Sequence, residues 1–122
     1  MFDDKDKSSF VLIMGNTPFI RVIDFLLENR LFDYSKTDIA KNAEVGWSTL
    51  HGIWKILEKA KIVKQTRYVG KSKMFKLNEG NPIVRKLIEL DSYISDVLSQ
   101  QTIEEAIETP VNLSIKKRRQ LK

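Results

Sequence analysis

Residues 35–59 restrict the fold more than any other stretch of this 122-residue chain. Ser35-Lys36-Thr37-Asp38 has the S-x-x-D form of a capping box, with Asp in place of the usual Glu, and opens a short helix from about Lys36 to Ala43. Glu44-Val45-Gly46 interrupts it. A second helix is predicted from about Trp47 to Lys59, because Leu50, Ile53, Trp54 and Leu57 fall at i, i+3, i+4 and i+7 and form one apolar face. Two short helices joined by so tight a turn make a helix-turn-helix unit.

The flanking segments extend this unit. Thr17-Pro18 reads as an N-cap followed by a first-turn proline. The apolar residues Phe19, Ile20, Val22, Ile23, Phe25, Leu26 and Leu27 then predict a largely buried helix ending near Asn29-Arg30. Upstream, Phe10-Val11-Leu12-Ile13-Met14 reads equally as a strand or a helical turn, since periodicity does not separate the two in so short an apolar run. Downstream, Ile62–Tyr68 and Lys73–Leu77 flank Val69-Gly70-Lys71-Ser72, which predicts a β-hairpin closed by Gly80-Asn81-Pro82. Pro82 opens a long helix in which Ile83, Leu87, Leu90, Ile94 and Val97 step by 4, 3, 4 and 3, a heptad spacing widened by Val84, Ile88 and Leu98. Thr109-Pro110 should stop it. The remaining tail, with Lys116-Lys117-Arg118-Arg119, holds too little apolar material to fold alone. The expected class is mainly α with a small β-hairpin: a winged helix-turn-helix followed by a long C-terminal helix. The expected parts are an N-terminal extension (1–16), a winged helix-turn-helix (17–81), a dimerisation helix (82–109) and a basic, disordered tail (110–122).

Charge adds a functional constraint. The net charge is +5, but residues 35–81 carry 10 basic and 4 acidic side chains, while residues 82–110 carry 2 basic and 6 acidic. The tail from residue 111 adds 5 basic and no acidic side chains. Basic residues concentrated in one segment are the electrostatic footprint of a polyanion binder, although a lysine-rich solvated surface has the same composition.

The segment Asp38-Ile39-Ala40-Lys41-Asn42-Ala43-Glu44-Val45-Gly46-Trp47-Ser48-Thr49-Leu50 resembles the helix-turn-helix of winged-helix regulators, as do Leu57-Glu58-Lys59-Ala60-Lys61-Ile62-Val63 and the hairpin that follows. The resemblance covers about residues 17–80 and is closest to small archaeal and bacterial regulators of the broad MarR-like and ArsR-like kind. It implies core positions at Ile39, Ala40, Val45, Leu50 and Leu57, and a recognition helix beginning around Thr49. Two positions depart from the pattern: Glu44 stands where a turn glycine is usual, and Gly46 where a capping serine is usual.

Independently of the resemblance, the outward face of the second helix carries Trp47, Ser48, Thr49, His51, Gly52, Lys55 and Lys59. An α-helix fits the B-DNA major groove, where residues near its N-terminus reach base edges. Ser48, Thr49 and His51 donate or accept there, Gly52 permits close approach, and Lys55 suits a phosphate. The plainer readings are an exposed histidine, a Trp47 packed on its own domain and a tolerated helical glycine. In the hairpin, Arg67, Lys71 and Lys73 lie at or beside the tip, where a wing engages phosphates or the minor groove; lysines that keep a sheet edge soluble are the plainer reading. With Lys36, Thr37 and Ser72 these residues make up the expected DNA-binding set. The stripe Ile83, Leu87, Leu90, Ile94 and Val97 is expected to pair with a second copy, the alternative being that it packs back on the first helix.

Other functions find little support. The chain has no cysteine and one histidine, His51, which excludes disulfides, thiolate chemistry and a histidine-rich metal site. It has no run of 18 apolar residues, and MFDDKDKSS is neither a signal nor a transit peptide. No Ser-His-Asp signature, phosphate loop or paired acidic motif is present. Asp3, Asp4 and Asp6 lie near the N-terminus, and Glu104, Glu105 and Glu108 read as a solvated helix face. The expectation is a cytoplasmic, non-enzymatic transcriptional regulator, without cofactor, metal or membrane, binding double-stranded DNA as a homodimer. A protein-interaction module of replication or transcription machinery, or a non-specific nucleoid or partition protein, is the alternative.

Overall fold

The computed structural model of the chain describes residues 8–107. Five helices and one hairpin follow in the order α1 (Ser9–Met14), α2 (Pro18–Glu28), α3 (Lys36–Ala43), α4 (Trp47–Lys59), β1 (Val63–Val69), β2 (Ser72–Leu77) and α5 (Pro82–Ile107). The capping residues behave as their chemistry dictates. The Thr17 hydroxyl accepts from the Ile20 amide ahead of Pro18, and the Ser35 hydroxyl accepts from the Asp38 amide. The acidic N-terminal residues, Glu108, the Thr109-Pro110 stop and the basic tail lie outside the described residues.

The apolar run at Phe10–Met14 is a helical turn, and it is no appendage: Phe10 and Val11 are buried, and α1 packs on α5 and α2. Beneath it, Val22, Ile23, Leu26 and Leu27 of α2 meet Ile39, Ala40 and Ala43 of α3 and Leu50, Ile53, Trp54 and Leu57 of α4. Ile62, Val63, Phe75 and Leu77 close the floor from the hairpin side.

β1 and β2 pair antiparallel from Val63↔Leu77 to Val69↔Ser72. The loop is Gly70-Lys71, with Gly70 at φ 61°, the glycine-first pattern of a type II′ hairpin turn. Only Val63 of β1 is buried, so the hairpin stands off the body as a wing. Tyr34 adds a third rung beside β2, its amide donating to the Phe75 carbonyl (2.9 Å) and its carbonyl accepting from the Phe75 amide (2.8 Å).

The end of α4 sets how the wing leaves the body. Ile62 N–H donates to the Leu57 carbonyl (2.8 Å) and Lys61 N–H to the Glu58 carbonyl (3.0 Å), the paired bonds of a Schellman motif. Lys61 holds the left-handed position, at φ 59°, where glycine is usual. A side chain there costs about 1–2 kcal/mol, and glycine returns part of that as unfolded-chain entropy. Lys61→Gly is therefore expected to stabilise the protein by up to about 1 kcal/mol. Urea denaturation should show a higher midpoint; an unchanged or lower one would mean that the strain is absorbed elsewhere.

Candidate nucleic-acid interface

The exposed face of α4 begins at its first residue. Gly46 is the N-cap and supplies no side-chain bond, which leaves the first turn open. Trp47 is half exposed and sits edge-on to His51, with ring centroids 4.7 Å apart. Ser48, Thr49, His51, Gly52 and Lys55 are all exposed, while Leu50, Ile53, Trp54 and Leu57 point into the core. Apart from its chain neighbours and the adjoining backbone of α4, no atom lies within 4 Å of where a Cβ on Gly52 would stand, so packing inside the chain does not require glycine there.

Beside this face lies a groove of about 260 Å³ between the start of α3, the start of α4 and the wing. It collects six of the residues singled out from sequence: Lys36 and Thr37 from α3, Trp47 from α4, and Lys71, Ser72 and Lys73 from the hairpin tip. Within it, the Lys36 ammonium stands 5.5 Å from the Phe75 ring centroid and 5.8 Å from that of Trp54, held over the aromatic faces. Lys71 and Lys73 are exposed.

Arg67 lies within β1, in the strand expected from sequence, but its side chain is engaged inside the chain. Its guanidinium forks onto Asp33, Nε donating to Oδ2 (2.9 Å) and Nη2 to Oδ1 (3.1 Å). The Thr66 hydroxyl donates to the same Oδ2. These bonds, first Arg67 and then Thr66, pull the Asp33 carboxyl down to about 2. The pairing register explains how neighbouring residues reach one carboxylate. Gln65 opposes Phe75 and Arg67 opposes Met74, so Thr66 is the extra residue of a β-bulge.

A second arginine, not anticipated from sequence, anchors the helix-turn-helix itself. Arg21 of α2 donates from Nε to the Ala43 carbonyl (2.8 Å) and from Nη2 to the Glu44 carbonyl (3.0 Å), and its Nη1 reaches Asn16 (2.9 Å). It thereby satisfies carbonyls at the end of α3, where Glu44 occupies the left-handed region at φ 56° in place of the usual glycine. Asn81 does a similar service between α4 and α5. Its Nδ2 donates to the Ala60 and Lys61 carbonyls (both 2.9 Å) and its Oδ1 accepts from the Ile83 amide (2.9 Å).

The α5 stripe divides in two. Val84 and Ile94 are buried in the chain's own core and Leu87 packs against it, and α5 as a whole rests on α1 and α2. Ile83, Leu90, Tyr93 and Val97 remain exposed. Pro82, Ile83, Lys86, Leu87 and Leu90 line an apolar groove of about 360 Å³. On the neighbouring faces, burial raises the carboxyls of Asp24, Glu28 and Asp91, the Ser8 hydroxyl bond partly offsetting the rise at Asp24 and Arg30 that at Asp91. No described helix is long and apolar enough to cross a membrane.

No family model matches the sequence, and no curated protein does. Solved structures do. MepR, a transcription regulator of the Staphylococcus aureus multidrug efflux pump MepA, is 19% identical, with 84% of this chain covering 73% of that one at a TM-score of 0.56. A ZitR variant of Lactococcus lactis in apo form is 13% identical, covers 88% and 82%, and has a TM-score of 0.59. A MepR variant bound to an oligodeoxyribonucleotide is 17% identical, covers 93% and 80%, and has a TM-score of 0.56. The chain has a winged helix-turn-helix fold, which it shares with MepR and ZitR.

Proposed function

We propose that this chain is a DNA-binding transcription regulator that acts as a homodimer, with residues 17–81 as the DNA-binding unit and α5 as the pairing helix. The observation that carries the reading is the convergence of Lys36, Thr37, Trp47, Lys71, Ser72 and Lys73 on one groove beside the exposed start of α4. An α-helix presented this way enters the major groove, and Ser48, Thr49 and His51 are its residues for base edges. Lys55, Lys71 and Lys73 supply phosphate contacts, which fix register but carry no sequence information. The exposed Ile83, Leu90 and Val97 give α5 a face for a second copy, and pairing sets two recognition helices against two half-sites.

Selection from a random duplex pool, followed by affinity measurements over a salt series, tests this. Affinity should fall steeply with salt, as counterion release requires. Lys71→Glu with Lys73→Glu should weaken binding to every sequence. Alanine at Ser48, Thr49 or His51 should instead change preference at one base position by roughly 1–3 kcal/mol. Binding that ignores sequence would favour an architectural protein, and no binding at low salt a protein-interaction module.

A further inference from the structure

Asp33 is out of place on electrostatic grounds. It precedes the segment with the greatest excess of positive charge, and a carboxylate beside a polyanion site lowers affinity for it. Its bonds suggest a different use. Three consecutive residues tie α3 to the wing: Asp33 takes Thr66 and Arg67 of β1, Tyr34 exchanges two backbone bonds with Phe75 of β2, and Ser35 caps α3. The bulge at Thr66 makes the first of these possible. In a regular strand Thr66 and Arg67 would point to opposite faces, and one carboxylate could not receive both. The same α3 start and the same wing form two of the three walls of the groove that holds Lys71 and Lys73, the start of α4 being the third.

Resting on the DNA-binding reading above, we propose that Asp33 is a positioning residue of the interface. Its carboxylate fixes the wing against α3, so that the groove keeps a set width, and Arg67 is the strut of this clamp rather than a phosphate contact. Arg67 commits Nε and Nη2 to Asp33, and in this reading the outermost cations of the wing, Lys71 and Lys73, meet the backbone.

The clamp predicts the opposite sign from simple charge. Asp33→Ala removes a negative charge from a DNA-facing surface, yet it should weaken binding of the full chain to a fluorescein-labelled, mixed-sequence duplex. The expected loss is about tenfold, within the range for residues sharing one network. Arg67→Met should lose a similar amount, and the double variant no more than either single one. The slope of log affinity against log salt should stay the same for Arg67→Met, whereas losing a phosphate contact would reduce it by about 1. Hydrogen exchange supplies a readout that needs no DNA. Wing amides from residues 64 to 76 should exchange faster in Asp33→Ala and in Asp33→Asn, with α4 amides unchanged, which also shows that the body remains folded. Equal or tighter binding by Asp33→Ala, a reduced salt slope for Arg67→Met, or unchanged wing exchange would each overturn the clamp. If the wild type binds no duplex, the DNA-binding reading falls by itself, while the exchange measurement still decides whether Asp33 holds the wing.

Discussion

Leu90→Asp combined with Val97→Asp is expected to leave the protein monomeric at micromolar concentration and to lower its affinity for a two-half-site duplex by about 100-fold or more. Both side chains are exposed on α5, 39% and 43%, so an aspartate at either position costs the folded monomer little. In a dimer that buries this face the same carboxylates would be dehydrated without partners, at a cost of several kcal/mol each. Ile94 is unsuitable for the experiment despite sharing the heptad spacing. It is buried in the chain's own core, and a charge there would unfold the protein and mimic loss of the dimer. The affinity loss follows from geometry. In the proposed dimer, once one recognition helix is bound, its tethered partner meets the second half-site at high effective concentration, an advantage a monomer does not have. Sedimentation of wild type and variant, beside binding to full and half sites, checks each step. A variant that still sediments as a dimer would move the interface away from α5.

What the sequence made legible is what local chemistry decides. The bounds of α3 and α4 follow from Ser35, from the break at Glu44-Val45-Gly46 and from the spacing of Leu50, Ile53, Trp54 and Leu57, all signals confined to a few turns. The start of α2 follows from Thr17-Pro18 in the same way. The Phe10–Met14 run stayed ambiguous because its helical state is set by docking on α5 and α2, which no short window contains. The stripe on α5 was visible as a stripe, but spacing does not say how much of it the chain covers itself. Here the chain's own core takes Val84, Leu87 and Ile94, and Ile83, Leu90 and Val97 are left outside.

The candidate interface divides along the same line. Ser48, Thr49, His51 and Lys55 were readable because helix periodicity alone assigns them to the face opposite the core. Lys71 and Lys73 were readable because Gly70 marks the hairpin tip. Arg21 and Asp33 gave no local sign of their roles, because their partners lie 22 and 23 residues and 33 and 34 residues away. Arg67 was assigned to phosphates or the minor groove, and its bonds to Asp33, beside the bulge at Thr66, lie beyond any local signal. Lys36 also belongs to the expected DNA-binding set, and the structure places its ammonium over Trp54 and Phe75.

Phe10→Ala should show how much the short first helix matters, with an expected loss of about 3–5 kcal/mol of stability. Six residues are too few to hold a helix in water, so α1 exists because it is docked. Its Ser8 cap binds the Val11 amide (3.1 Å) and donates to Asp24 of α2 (2.7 Å), which fixes one end. Phe10, 1% exposed, is its deepest anchor in the core that also holds Val84 and Ile94 of α5. Truncating it removes the buried ring and leaves a cavity that neighbours fill only in part. A domain of this size has about 5–15 kcal/mol in total, so the variant should be close to half unfolded under mild denaturant. Ile13→Ala on the same helix is the control: that side chain is 57% exposed, and its loss should cost less than about 0.5 kcal/mol. Urea midpoints for the pair, at equal slope, separate the two cases. A Phe10→Ala loss as small as that of Ile13→Ala would mean that α1 rests on the domain without stabilising it, and that α2 alone holds α5 in place.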